Sequence, residues 1–293
     1  MYTSFATLLE QSKTTDKPLW QLIQEEDCGE EAITKEASFE KMREMYRAMK
    51  RSRDSYNPDQ MSASRLVGDE AKKLHAYHQK HSLVDDFVGE VMENALKVAA
   101  SNACMHVIVA APTAGACGVL PAVLLAAQDH FHFEEDDMVR SLYVAGGIGG
   151  IIAKRASISG AAGGCQAEIG SASAMAAGAL VFLHEGTNDM IADASAIALK
   201  GLLGLVCDPV CGLVEVPCVK RNVIGAVNAV TSADMALAGI PSRIPADQVF
   251  DAMGAIGSRM PMEVRETALG GLAATPEAHA IAERLRKQEK KTH

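Results

Sequence analysis

Three cysteines fall within twelve residues in CDPVCGLVEVPC, at Cys207, Cys211 and Cys218, with Pro209, Gly212 and Pro217 between them. Proline removes a backbone donor and clashes with the preceding turn, so a regular helix is excluded there and the thiols are free to converge. Cys165 stands 42 residues before Cys207 in GAAGGCQAE, where glycines let backbone amides come close to an inorganic anion or to cluster sulfides. Structural zinc favours paired C-x2–4-C units, which C-x3-C-x6-C with one distant cysteine matches poorly. The C-x2-C-x2-C run of bacterial ferredoxins is also absent. Spacing alone leaves three uses open: an iron–sulfur cluster, another metal, or thiols buried as small core residues.

These cysteines lie on two of four polar loops that interrupt an apolar background: PTAGACG (112–118), SISGAAGGCQAE (157–168), CDPVCGLVEVPC (207–218) and GSRMPMEVRET (257–267). Function gathers on such loops when a rigid scaffold holds them. The scaffold is expected to be all-α, a multi-helix catalytic domain with cysteine-bearing loops. Of 293 residues 48% are hydrophobic, while aromatics are few (7 Phe, 5 Tyr, 1 Trp) and Ala and Gly crowd the middle. That composition suits closely packed helices better than strands. Ser82 is the expected N-cap of a helix with Leu83, Phe87 and Val91 on one face. Further helices are placed near 119–128, 138–153, 171–184, 189–206 and 222–239. Residues 1–60 read as a charged N-terminal helical segment whose Met42, Met45 and Met49 pack at helical spacing, 61–276 as the catalytic domain, and 277–293 as a charged, solvated tail.

With 28 basic and 37 acidic side chains the net charge is −9, which lacks the basic footprint that nucleic acid demands. No basic stretch followed by an apolar core marks the start for secretion, so the expected compartment is the cytoplasm, where the seven cysteines stay reduced. Val98 to Gln128 carries no Asp, Glu, Lys or Arg, but Pro112, Gly115, Gly118 and Pro121 break it into short pieces, the pattern of a buried helix–loop–helix and not of a membrane span.

PTAGACG, ISGAAGGCQAEIGSASAMAAG and CDPVCGLVEVPCVKRN resemble the signature segments of the iron–sulfur-dependent L-serine dehydratases, specifically the α chain of the two-chain bacterial type. The likeness runs from the SxSRLVGDEAKKL region near 62–74 to SRMPMEVRET near 258–267. It implies a [4Fe–4S] cluster held by Cys165, Cys207 and Cys218, with Cys211, Cys117 and Cys104 left as packed thiols. Three thiolates on four irons leave an open, Lewis-acidic position for expelling the serine hydroxyl. Pyruvate and ammonia are the implied products. An amino acid needs an anion cradle and acceptors, for which Thr113, Gly115, Ser157 and Ser159 offer hydroxyls and backbone N–H groups; each hydroxyl alone also serves as an ordinary cap or turn bond. Glu168 and Lys154 are candidates for the substrate's ammonium and carboxylate, against the alternative of a helix-end ion pair. His106 reads as a core histidine. Relatives carry a β domain or β chain with a Ser-x-His-Thr segment that this sequence lacks, so the resemblance implies a β-chain partner and a general base arriving in trans.

Three other functions compete. A pyridoxal-phosphate lyase would run the same reaction, but Lys154, Lys200 and Lys220 lack its lysine context. A related cluster lyase acting on L-cysteine, and a non-catalytic cluster-bearing sensor or interaction subunit, share the same cysteines. Polar loops converging in an apolar scaffold favour a small-molecule pocket over the sensor.

Overall fold

The computed structural model describes residues 2–292, and among them no strand extends beyond one isolated bridge, between Cys207 and Arg265. The chain is a helical bundle. Its middle is α9 (Ser171–Leu183), packed against α6 (Val119–Phe131), α7 (Glu135–Arg155), α10 (Asn188–Lys200) and α11 (Cys218–Leu237). From Gly163 to Val181 every residue is buried. A helix apolar all round must be surrounded. The run SASAMAAGALV achieves this with small side chains that let four neighbours approach. Gln166–Leu183 is long and apolar enough by length and composition to cross a membrane, yet 89% of it is buried inside the bundle.

Around this centre lie α1 (Phe5–Thr15), α2 (Leu19–Glu31), α3 (Lys35–Asp54), α4 (Glu70–His78), α5 (Asp86–Ala103), the single turn α8 (Gly160–Gly163), α12 (Ala246–Arg259) and α13 (Pro276–Thr292). Side-chain caps start several of them: Ser4 for α1, Thr34 for α3 and Thr187 for α10 each accept a first-turn N–H. Three acids, Glu135 to Asp137, open α7 while Lys154 and Arg155 close it, matching the helix dipole at both ends. Phe5, Leu8, Leu19, Tyr46 and Met49 join one core with residues of α6, α7 and α9.

Several boundaries differ from the sequence expectation. Helix α5 is capped by Asp85, whose Oδ1 accepts from Val88 N at 2.8 Å, and not by Ser82, which donates to Val84 O instead. Aspartate caps as well as serine. The later start leaves Leu83 outside the helix and 93% exposed. On α3 the inward row is half-buried Met42 with buried Tyr46 and Met49, while Met45 is 45% exposed, because a 3.6-residue turn carries position 45 round to the flank. Helix α10 ends at Lys200, and the chain turns at Gly204 with φ +83°. The 277–293 segment is helical as α13 with Ala278 buried; His293 lies outside the described residues.

Close approach makes some glycines irreplaceable. A Cβ on Gly225 of α11 would stand 2.7 Å from Ile169 Cγ2 and 3.1 Å from Val119 Cγ2, whereas one on Gly146 of α7 would meet nothing within 4 Å. Gly225→Val is expected to destabilise the chain by about 1–3 kcal/mol through overpacking. Gly146→Ala should stabilise it by about 0.5–1 kcal/mol through helix propensity. Urea denaturation midpoints of the two reduced variants check both signs.

Candidate active site

All the cysteines that the resemblance implies lie at the ends of elements. Cys165 precedes a π-helical turn, Gln166–Gly170, that leads into α9; Cys218 is the first residue of α11; Cys207 sits in the bridge. They are 2%, 8% and 3% exposed. The thiols are electrostatically coupled: the charge of Cys165 acts on both Cys207 and Cys218, and that of Cys218 on Cys207. Burial pushes the Cys165 thiol up to about 11 and Cys218 up to about 12, and raises Cys207 as well. Among the described residues no three His, Cys, Asp or Glu side chains close around a single metal ion. Cys117 is also buried, its thiol pushed up to about 12, whereas Cys211 is exposed and Cys104 half-buried.

Glu168 stands in the π-helical turn, a distortion that often marks functional positions. Its Oε1 accepts from Thr113 Oγ1 at 2.7 Å, and Cys207 Sγ lies 3.9 Å from Oε2. Burial raises its pKa, Thr113 opposes this, and the charge of Glu266 adds to the rise. Two glycines shape the cradle. A Cβ on Gly160 would come within 2.9 Å of Glu168 Oε2 and 3.0 Å of Cys207 Sγ, and one on Gly115 within 3.1 Å of both Glu168 oxygens. Thr113, Gly115, Glu168 and Cys207 thus lie together. Ser157 and Ser159 sit at the start of the loop carrying Cys165, where Ser157 Oγ accepts from Ser159 N at 3.1 Å, and Ser159 caps α8. Lys154 does not join them. It is exposed near the end of α7, and its charge acts on Glu30 of α2.

Residues that the sequence reading passed over hold these loops in place. Asn222 Oδ1 accepts from Gly118 N, and its Nδ2 donates to Gly115 O and Cys218 O, all at 2.8–2.9 Å. Arg221 donates to Val206 O and lies 2.8 Å from Asp208 Oδ1, an ion pair without hydrogen-bond alignment; its charge also favours the Cys165 thiolate. Asp208 Oδ2 accepts from Leu272 N. Buried Glu215 accepts from both Ser62 and Ser64 hydroxyls, tying the 62–68 loop to the cysteine loop. Asn222 and Arg221 lie in the quoted VKRN, so motif context was the available signal, but only geometry gives them roles. His106 bonds Gln60 through Nε2 while its Nδ1 is buried without a partner.

The family profile described as "Serine dehydratase alpha chain" matches residues 14–273. The chain is 48% identical over 253 residues to the probable L-serine dehydratase, alpha chain, of Bacillus subtilis, covering 86% of this chain and 84% of that one. It is 40% identical over 265 residues to the L-serine dehydratase, alpha chain, of Peptoniphilus asaccharolyticus, covering 90% and 91%. With the L-serine dehydratase of Helicobacter pylori it shares 38% identity over 240 residues, 81% of this chain but 53% of that protein.

Thiol reactivity checks the burial. In the native, reduced, metal-free chain Cys211 is expected to be alkylated by iodoacetamide well before Cys117, Cys165, Cys207 and Cys218, since those are buried and hold their protons. Mass spectrometry of a labelling time course, with all seven cysteines reacting after denaturation, reads this order.

Proposed function

The chain belongs to the serine dehydratase alpha chain family, and from that premise we propose that it is the α subunit of an iron–sulfur enzyme converting L-serine to pyruvate and ammonia in the cytoplasm. One observation carries this reading: three buried thiols from three separate segments lie within electrostatic reach of one another, and one of them, Cys207, is 3.9 Å from the buried Glu168 carboxylate. The donor set fits a [4Fe–4S] cluster, with Cys165, Cys207 and Cys218 as its ligands. Burial disfavours free thiolates here, and a soft metal centre compensates for that loss of solvation. When bound, the cluster supplies a Lewis-acidic iron that eases departure of hydroxide, the harder half of the reaction.

The chain's own groups bind and orient the amino acid. Thr113 donates to Glu168 Oε1 and fixes the carboxylate's plane, which leaves Oε2 turned to the thiol pocket as an acceptor for the substrate ammonium. Gly115 and Gly160 leave room against that carboxylate. Ser157 and Ser159 line the approach along the Cys165 loop. Lys154, exposed near the end of α7, has no part in the proposal. Serine loses its α-proton and β-hydroxide as water, and the resulting aminoacrylate tautomerises and hydrolyses to pyruvate and ammonia. The base that takes the α-proton is assigned to a β chain. In support, this chain spans about half of the Helicobacter pylori relative and is similar over most of its length to proteins named as alpha chains.

Cys165→Ser, Cys207→Ser and Cys218→Ser should each lose iron, acid-labile sulfide and pyruvate formation together, while Cys211→Ser keeps all three. The measurement is metal and sulfide analysis after anaerobic reconstitution, then L-serine turnover with and without the β chain. About four irons per chain with activity only in the pair is the expected result. Turnover of L-cysteine in preference to L-serine would replace the substrate, and iron retention by Cys207→Ser would remove that ligand.

A further inference from the structure

A buried guanidinium nitrogen without a partner belongs to Arg265, whose backbone is bridged to Cys207. Arg265 is half-buried, its Nε has no hydrogen-bond partner, and no ion pair reaches its side chain from the other described residues. The arginines around it are satisfied: Arg221 pairs with Asp208 at 2.8 Å, and Arg155 with Asp251 at 2.6 Å and Asp247 at 3.8 Å. Buried cations are ordinarily paired or hydrogen-bonded, so an unpaired one marks a place where an anion belongs.

The backbone of Arg265 is fixed to the thiol site. Cys207 N donates to Val264 O at 2.9 Å and Glu266 N donates to Cys207 O at 2.7 Å, which straps Arg265 alongside Cys207. Its side chain lines a groove of about 490 Å³ with Arg155, Ser157, Ala162, Gly163 and Ser258. Ser157, Ala162 and Gly163 belong to the loop that carries Cys165, so groove and thiol pocket share a wall. With Arg155 neutralised by α12, Arg265 is the cation in this groove still without a counter-charge, and the hydroxyls of Ser157 and Ser258 flank the same space.

We infer that Arg265 receives the α-carboxylate of the amino-acid substrate, with Ser157 and Ser258 at the edge of the same groove. The inference rests on the dehydratase reading. A planar fork of N–H groups matches a carboxylate and not an amide, so the site selects free α-amino acids over their amides. The ammonium is then left to the acidic side of the pocket, where the charges of Glu168 and Glu266 act on Cys207.

The test compares wild type, Arg265→Gln and Arg265→Lys in the reconstituted α–β pair, with iron content measured for each. Loss of a hydrogen bond to a charged group should raise KM for L-serine about 10- to 100-fold in R265Q with kcat nearly unchanged, since ground state and transition state lose it equally. R265K should fall between the two, and added guanidinium ion should lower KM in Arg265→Ala. Independently of turnover, L-serine but not L-serinamide should raise the wild-type Tm, and R265Q should lose that rise. Pyruvate formation with an unchanged KM in R265Q and R265K overturns the inference and leaves the dehydratase reading standing. A carboxylate-selective Tm rise that needs Arg265, in a pair that makes no pyruvate, overturns the dehydratase reading and leaves the inference standing.

Discussion

Asn222, one turn into α11 and 1% exposed, divides its amide among Gly118 N, Gly115 O and Cys218 O. Each is a backbone group that burial would otherwise leave unpaired, at a cost of about 1–3 kcal/mol apiece. One side chain thereby holds the 112–118 loop against the turn bearing Cys218. Thr113 on that loop then reaches Glu168, and Glu168 reaches Cys207. The clamp acts alongside apolar packing, since Ala116, Cys165 and Cys207 on these loops belong to the main core. The bundle contributes rigidity: the small residues of α9 bring α7, α10 and α11 close enough that the π-helical turn at its start has little freedom to shift.

Charge follows from the same crowding. Three thiols and Glu168 are buried within reach of one another, and burial pushes every one of them toward its protonated form. Arg221 opposes this at Cys165 while pinned between Val206 O and Asp208, and Asp208 in turn holds Leu272 N. A pocket of neutral thiols is a state that metal binding reverses, with release of protons. The ion pair and the proposed ligand cysteines are therefore mechanically linked, since Asp208 follows Cys207 directly and Arg221 lies one turn beyond Cys218.

Much of the architecture was legible because it rests on periodicity and composition. The Ala- and Gly-rich middle pointed to packed helices, and the Pro and Gly punctuation located the loops. Boundaries were less so: Asp85 and Ser82 are equally good caps, and only packing decides that Leu83 stays outside α5. The cysteines declared themselves by type, although spacing alone did not separate a cluster from inert thiols, and Cys211 has the same local sequence setting as its neighbours while lying exposed. Lys154 illustrates the limit of sequence proximity, because it lies exposed near the end of α7, away from the Cys165 loop's buried residues. Asn222, Arg265 and Glu266 escaped notice for the opposite reason. Their significance comes from a bridge and a set of backbone bonds joining segments far apart in the chain, which no local pattern encodes.

The central claim is that Cys165, Cys207 and Cys218 together hold a four-iron cluster with one iron free of protein thiolate. Mössbauer spectroscopy of the chain reconstituted with iron-57 and paired with the β chain tests it most directly. The account predicts about four irons per chain, one of them distinct, with that one alone shifting when L-serine is added. Four equivalent irons unaffected by L-serine, or a single mononuclear iron, would contradict it.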